Sequence, residues 1–394
     1  MTPVVFCQIM TAMYARLLKR PTSTTFLFGP RGTGKSTWIK QNFPDAVMYD
    51  LLDLREVTRL QRDPSILHDE VSRLPPGSWV VIDEVQKIPE LLDVVHRLIE
   101  GSGTKFILSG SSARKLRRGG SNLLAGRAAM TNMFPLVTAE IGHAVETARA
   151  IAHGMLPRAV TDQDPVPFLR AYAETYLQEE VRAEALTRNI GGFGRFLEIA
   201  ARQNGQITNV SGIARDAQVA RTTVEAYFEI LVDTLLGTWL HPWKPKPSNR
   251  LVGHPKFYFF DAGVARALSG RLPYPPTSEE AGALLETFVV GEVRAFLAYS
   301  GLGYPVHFWR TQDGAEVDLV VETRDGFWAV EIKSSERWDG RFGRGLRRLS
   351  ESMAPARPAC MGVFTGPREL GAGDVRVVPA WQFLRELWDG RLIR

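Results

Sequence analysis

Cysteine is nearly missing from this sequence: Cys7 and Cys360 are the only two in 394 residues, and they stand at opposite ends. A disulfide framework and a cysteine-based metal site are both excluded, and a reducing compartment suits the chain. Long apolar runs are missing too. None approaches the roughly 18 residues that cross a bilayer, and within Met1 to Arg20 the basic residues follow the apolar ones, the reverse of a secretory signal. The expectation is a soluble, cytoplasmic protein with no membrane partner. There is no internal repeat and no low-complexity stretch. With 44% hydrophobic and 23% charged residues the composition is globular. The length suits two or three domains of about 150 residues, each with its own core. Net charge is only +5, but the cations cluster. Arg114, Lys115, Arg117 and Arg118 form one knot, and Arg337, Arg341, Arg344, Arg347 and Arg348 another; each is either a solvated face or a polyanion contact.

The informative segments begin with Thr24-Thr25-Phe26-Leu27-Phe28, a β-branched and aromatic run that leads into Gly29-Pro30-Arg31-Gly32-Thr33-Gly34-Lys35-Ser36-Thr37 and then Trp38-Ile39-Lys40. The order is strand, phosphate-binding loop, helix. In G-x-x-x-x-G-K-[ST] the glycines let successive N–H groups turn around phosphate oxygens at the positive end of a helix. Lys35 then reaches the β- and γ-phosphates of ATP, and the Ser36 hydroxyl ligates Mg²⁺. A second apolar run, Trp79-Val80-Val81-Ile82, ends in Asp83-Glu84. Asp83 can hold Mg²⁺ through water, and Glu84 can polarise the attacking water. Lys105-Phe106-Ile107-Leu108 leads into Ser109, the candidate sensor of the γ-phosphate. Strand-like runs at Thr24–Phe28, Ala46–Asp50, Trp79–Asp83, Lys105–Ser109 and Ala129–Phe134 alternate with helix-like stretches, as in a parallel sheet covered on both faces.

These segments resemble the AAA-type P-loop ATPases of bacteria and archaea whose C-terminal half is a nuclease-like domain of unknown function 4143. The resemblance rests on Gly29–Thr37, Val80–Gln86, Leu108–Leu116, and Leu123–Arg127 followed by Phe134–Leu136. It implies a homo-oligomer in which an arginine of one subunit reaches the γ-phosphate held by its neighbour, with Arg127 the candidate. The alternative for Arg127 is a surface arginine paired with an acid of its own subunit.

After Phe134 the strand signals stop. Ile141 to Leu186 is mostly helical in pattern, with breaks at Pro157 and Pro165–Pro167, which suits a helical lid or connector. Arg195–Ala201, Val210–Ala217 and Arg221–Leu231 then outline a helix-turn-helix unit, with Thr238–Leu240 and Lys256–Phe259 as wing strands. The resemblance agrees with a winged-helix-like module. Reading DNA and serving as a lid or subunit contact both stay open, because only Arg221 places a cation near the start of the second helix.

The last third holds a helix, Ala281–Leu297, which carries Glu286, and a hairpin from Val317–Glu322 through Thr323-Arg324-Asp325-Gly326 to Phe327–Lys333. A two-residue turn at Arg324-Asp325 sets Asp318 opposite Glu331; one at Asp325-Gly326 sets it opposite Lys333. In either register Asp318, Glu331 and Lys333 share a face, with Ile332 on the other. An Asp followed by Glu-x-Lys on adjoining strands resembles the active site of PD-(D/E)xK nucleases. There the two carboxylates hold Mg²⁺ or Mn²⁺ against the scissile phosphate, while the ammonium activates water. The resemblance implies that Glu286 completes the site and that the Ile332 carbonyl is a further metal ligand. Next comes an amphipathic stretch with Phe342, Leu346, Leu349 and Met353 on one face and Arg341, Arg344, Arg347 and Arg348 on the other, a candidate contact for duplex or branched DNA.

The expected architecture is α/β. Residues 1–140 form a P-loop parallel-sheet ATPase core, 141–275 a helical connector and winged-helix-like module, and 276–394 a PD-(D/E)xK nuclease-like α/β domain. The expected function is ATP-dependent DNA binding and processing. Its rivals are a non-nucleolytic regulatory ATPase whose C-terminal domain only binds DNA or a protein partner, and a ring-forming translocase that carries the nuclease.

Overall fold

The computed structural model describes residues 14–112, 116, 123–176, 189–243, 253–353, 358–373 and 375–394. Cys7, the basic knot at Arg114, Lys115, Arg117 and Arg118, and the connector from 177 to 186 lie outside the described residues.

The first part alternates strand and helix: β1 (Thr25–Phe28), α1 (Lys35–Asn42), β2 (Val47–Asp50), α2 (Leu54–Arg62), α3 (Ser65–Val71), β3 (Trp79–Asp83), α4 (Leu91–Ser102), β4 (Lys105–Gly110) and β5 (Ala129–Asn132). All five strands are parallel, in the order β2-β3-β4-β1-β5. Phe26, Phe28, Val80, Ile82, Phe106 and Leu108 pack with Leu91 and Val95 of α4. Leu27, Val81 and Ile107 pack on the opposite side with Trp38 and Ile39 of α1. Apolar residues at consecutive strand positions are thus needed, because both faces are buried. Since the strands run one way, the loop after β1 and the ends of β3 and β4 open on the same edge of the sheet.

In the middle, α5 (Thr147–His153), α6 (Pro157–Thr161) and α7 (Val166–Ala171) are short helices, followed by a π turn at Tyr172–Tyr176. Pro157 and Pro167 sit in the first turns of α6 and α7, where a backbone donor is not needed, so they open helices. Three further helices, α8 (Ile190–Arg202), α9 (Val210–Ala217) and α10 (Arg221–Asp233), close around Phe193, Phe196, Ile213, Tyr227, Phe228 and Leu231. The antiparallel pair β6 (Gly237–Pro242) and β7 (Lys256–Phe259) follows. It is not a free wing. β6 also pairs in parallel with β8 (Val306–Arg310), so both strands end an eight-stranded sheet.

The remaining elements are α11 (Ala262–Leu268), α12 (Ser278–Ser300), β9 (Glu316–Thr323), β10 (Gly326–Lys333), α13 (Arg344–Ser352), β11 (Ala359–Phe364), β12 (Leu370–Ala372), β13 (Val375–Pro379) and α14 (Ala380–Trp388). The sheet order β12-β13-β11-β10-β9-β8-β6-β7 crosses the boundary expected near 275. α12 starts at Ser278, ahead of its apolar pattern, because Thr277 and Glu280 cap it reciprocally. Its 23 residues span about 35 Å. Leu285, Val289 and Val293 share one core with Val330, Ile332 and Phe383 of the C-terminal part and with Leu136, Ile151 and Met155 before it.

Candidate functional site

The phosphate-binding loop connects β1 to α1. Gly32 and Gly34 hold φ of +80° and +94°, a left-handed region that side chains rarely adopt, and no side chain caps the start of α1. Gly29 is required for space, because a Cβ there would lie 2.6 Å from the Met133 carbonyl oxygen. Lys35 is buried, and its Nζ donates to the carbonyls of Gly29 at 2.6 Å and Pro30 at 3.2 Å. Ser36 and Thr37 are exposed on the first turn of α1.

At the end of β3 the Asp83 carboxylate accepts from the Ser36 hydroxyl at 3.0 Å with one oxygen and from the Ser109 hydroxyl with the other. Ser109 stands on β4, between the strands that carry the loop and the acid. A magnesium ion fits here, since hydroxyl and carboxylate oxygens are the hard donors it prefers. Glu84 is a non-glycine residue with φ of 60°, a strained conformation at the turn out of β3. Its carboxylate accepts from Gln86 Nε2 at 2.5 Å, and Gln86 also reaches Ser111 Oγ at 3.3 Å.

Two residues outside the motif hold the loop. Arg16 donates to the Thr33 carbonyl at 2.5 Å, to the carbonyls of Phe134 and Pro135, to Tyr299 Oη on α12, and to Glu140 at 2.9 Å. Tyr172 donates to the Arg31 carbonyl at 2.9 Å. Local pattern carries no signal for either, since each is far from the loop in sequence. Arg127 lies elsewhere. It precedes Ala129, which pairs with the first residue of β1, so it stands at the sheet edge opposite the loop and pairs with Glu100 at 2.7 Å. It therefore takes no part in the nucleotide site of its own chain.

A second constellation forms on the eight-stranded sheet. The β9–β10 ladder runs Thr323↔Gly326 to Leu319↔Val330, so the turn is Arg324-Asp325 and the next step sets Asp318 opposite Glu331. Lys333 Nζ lies 2.5 Å from Glu331 Oε1 and 3.3 Å from Asp318 Oδ2, and the Ile332 N–H donates to Asp318 at 2.7 Å. Glu286 of α12 joins from above the sheet. It accepts from Tyr258 Oη at 2.9 Å and from Lys256 Nζ at 3.3 Å, both on β7. Lys256 also lies 2.6 Å from Glu316 Oε1 and 3.9 Å from Asp318 Oδ1, and Arg310 holds the other Glu316 oxygen at 2.9 Å. Lys256, Tyr258, Glu316 and Arg310 were not anticipated as site residues. The alternation of Lys256 and Tyr258 along one strand places them on one face, but only pairing with the C-terminal sheet brings that face to Glu286.

Burial raises the Glu286 carboxyl to about 7, against the pull of Lys256. Burial likewise sets Glu331 well above the usual carboxylate range, with the Asp318 charge adding to it, and Glu331 Oε2 has no hydrogen-bond partner. Burial works against the Lys256 ammonium, yet Glu286, Asp318 and Glu316 hold its pKa well above the lysine norm. A divalent ion does not fit these acids as they stand. The Lys256 ammonium fills the space between Glu286, Glu316 and Asp318, and the Ile332 carbonyl accepts from Lys333 at 3.1 Å. Among the described residues no group of three or more His, Cys, Asp or Glu is arranged to hold a metal. The groups expected to ligate metal are engaged by ammonium groups here: Glu286 by Lys256, and Asp318, Glu331 and the Ile332 carbonyl by Lys333.

The basic stripe is only partly free of acids. Arg341 precedes α13 and pairs with Asp339, and Arg348 pairs with Asp313. Arg344 and Arg347 are exposed on α13, the latter donating to the Gly340 carbonyl at 2.9 Å. Gly345, which lowers helix propensity, sits where α13 touches β9: a Cβ there would lie 1.7 Å from the Glu316 carbonyl oxygen.

Three segments of the chain match family models. Residues 22–142 match the model of an AAA domain, 146–274 that of a domain of unknown function (DUF8612), and 281–383 that of a domain of unknown function (DUF4143). The uncharacterized proteins Rv2008c of Mycobacterium tuberculosis and Mb2031c of Mycobacterium bovis are 29% identical to the chain over 369 residues, 91% of this chain and 80% of each relative. Among solved structures, the STAND protein with a tetratricopeptide repeat sensor, PH0952 from Pyrococcus horikoshii, aligns at 15% identity and a TM-score of 0.22. That alignment covers 72% of this chain and 46% of the other. Can2 from Sulfobacillus thermosulfidooxidans aligns at 12% identity and a TM-score of 0.22, covering 94% and 98%. Overall likeness to both is slight. Among the described residues no helix is long and apolar enough to cross a membrane. The loop and the acid at the end of β3 fall in the segment that matches an AAA domain, which supports an AAA-type ATPase, and the acid–lysine hairpin falls in the C-terminal segment that matches the domain of unknown function 4143.

Proposed function

We propose that this protein binds ATP with Mg²⁺, hydrolyses it, and couples the nucleotide state to a nucleic-acid-binding C-terminal domain with a PD-(D/E)xK-like frame. The observation that carries the reading is the Ser36–Asp83–Ser109 cluster at the sheet edge beside the loop. Bound magnesium would draw charge from the transferring phosphate. Lys35 exchanges its two carbonyl contacts for β- and γ-phosphate oxygens, and Thr37 and the loop N–H groups hold the remaining phosphate oxygens. Glu84, held by Gln86, orients the attacking water, and Ser109 meets the γ-phosphate. Arg127 lies on the far edge of the sheet, so it acts on nucleotide only if a neighbouring subunit of a homo-oligomer presents its loop there. Lys35→Ala should abolish ATP binding, whereas Glu84→Gln should keep binding and slow turnover. Equal turnover by wild type and Glu84→Gln would remove Glu84 from the mechanism.

For the C-terminal domain two readings compete, DNA cleavage and non-nucleolytic regulation. The Lys256 ammonium among the carboxylates favours the second, in which Arg344 and Arg347 hold a nucleic-acid backbone and the acid–lysine cluster shapes the domain. A cleavage assay on linear, single-stranded and branched DNA and RNA with Mg²⁺ or Mn²⁺, with and without ATP, decides between them. Cleavage lost in Asp318→Ala or Lys333→Ala would overturn the regulatory reading.

A further inference from the structure

Strand β7 belongs to the segment matched by one domain model, and α12 and the β9–β10 hairpin to another, yet Lys256 ends inside the acid cluster of the second. Its side chain is only 4% exposed. Nζ has Glu316 Oε1 at 2.6 Å, Glu286 Oε2 at 3.3 Å and Asp318 Oδ1 at 3.9 Å. Phe308 closes one side of the ammonium, its ring centroid 5.5 Å away, and Tyr258 bridges to Glu286. The charges also nearly cancel. Among the described residues the carboxylates Glu286, Glu316, Asp318 and Glu331 meet the cations Lys256, Lys333 and Arg310. The excess is one negative charge.

We propose that the Lys256 ammonium is the resident cation of this cluster, in the seat between Glu286, Glu316 and Asp318 that a divalent ion would need. The site is therefore nearly balanced without metal and closed to Mg²⁺ and Mn²⁺ while β7 is in place. A magnesium ion needs oxygens at about 2.1 Å on several sides, and manganese favours similar oxygen donors. An ion bound to Glu286 Oε2 and Glu316 Oε1 would compete with Nζ, which lies 3.3 and 2.6 Å from them. Deleting the ammonium should reverse the preference, because Glu286, Glu316 and Asp318, which form no metal-holding group as now arranged, can then turn towards one ion. The inference goes beyond the proposed function, since it depends on neither nucleotide nor nucleic acid.

The test is a Mn²⁺ titration of the full-length, nucleotide-free protein, followed by the electron paramagnetic resonance signal of free Mn²⁺. Wild type should show no Asp318-dependent site up to about 1 mM, and Lys256→Met should gain one at least about tenfold tighter than that limit. Lys256→Met with Asp318→Asn should lose it again. A wild-type site that disappears in Asp318→Asn or Glu286→Gln would overturn the proposal, and so would a folded Lys256→Met protein that gains none. If Lys256→Met does not fold, wild type against Asp318→Asn still decides: equal Mn²⁺ binding supports the proposal, and a difference refutes it. Failure of ATP binding would leave each of these results unchanged, so the two readings fail separately.

Discussion

Removing the Arg16 guanidinium isolates the contact that ties the phosphate-binding loop to the rest of the chain. Arg16 and Glu140 form an ion pair at 2.9 Å, with side chains 5% and 0% exposed. Breaking such a buried pair from one side leaves an uncompensated charge and costs about 3–5 kcal/mol. Arg16→Met also releases the carbonyls of Thr33, Phe134 and Pro135, so the upper part of that range is expected. Glu140 still accepts the N–H groups of Leu17 at 2.7 Å and Val137 at 3.1 Å, but these donors are neutral. Adding Glu140→Gln removes the stranded charge while keeping an acceptor, and should restore at least about 1 kcal/mol. The assay is chemical unfolding of wild type, both single variants and the double variant, with the free energies closed into a cycle. A loss below about 1 kcal/mol in Arg16→Met, or a double variant no more stable than Arg16→Met, would refute the reasoning. ATP affinity measured on the same proteins should fall with Arg16→Met, because the Thr33 carbonyl is no longer held.

Gly345→Ala should destabilise by at least about 1–3 kcal/mol, since its Cβ would meet the Glu316 backbone, whereas Gly343→Ala meets only the movable end of Arg347 and should change the unfolding midpoint far less. Burial raises Glu292 to about 7 and Asp261 to about 6, so the fold takes up protons that the unfolded chain releases. Their stabilising effect is complete below the unfolded pKa values and is lost as pH rises through 6 to 7. For Glu292 that is about 3 kcal/mol. Unfolding measured at pH 5 and pH 8 should show lower stability at pH 8, and Glu292→Gln should flatten the difference. Replacing both Arg344 and Arg347 by Gln should lower the slope of log affinity for duplex DNA against log salt by about 1.8, and Arg348→Gln by less, since Asp313 already holds Arg348. Equal slopes would remove α13 from the contact. Mixing Arg127→Ala with Glu84→Gln protein should recover ATP turnover if Arg127 acts across a subunit boundary; no recovery in an assembly that exchanges subunits would leave it with Glu100 alone.

The local chemistry of the ATPase part was legible because each of its signals is short-range. Five strand-like runs became five parallel strands, and Gly29 to Gly34 formed the glycine-rich loop between β1 and α1 that the pattern predicts. The shared face of Asp318, Glu331 and Lys333 was also legible, because strand side chains alternate whatever the turn. Prolines misled where their role is spatial, and a glycine's packing role was not legible. Pro157 and Pro167 open helices, and Gly345 lets α13 approach β9.

What tertiary structure alone decided is which distant groups meet. No periodicity relates Arg16 to Thr33 and Glu140, or Tyr172 to Arg31. The pairing of β6 with β8 turned an expected wing into the end of the C-terminal sheet, and so delivered Lys256 and Tyr258 to Glu286. Sequence by itself determined the residue types of the acid–lysine cluster and the face they share. Whether a metal or an ammonium balances them depends on a strand some 60 residues earlier in the chain, and long-range strand pairing follows from the burial of whole faces, which no local pattern encodes.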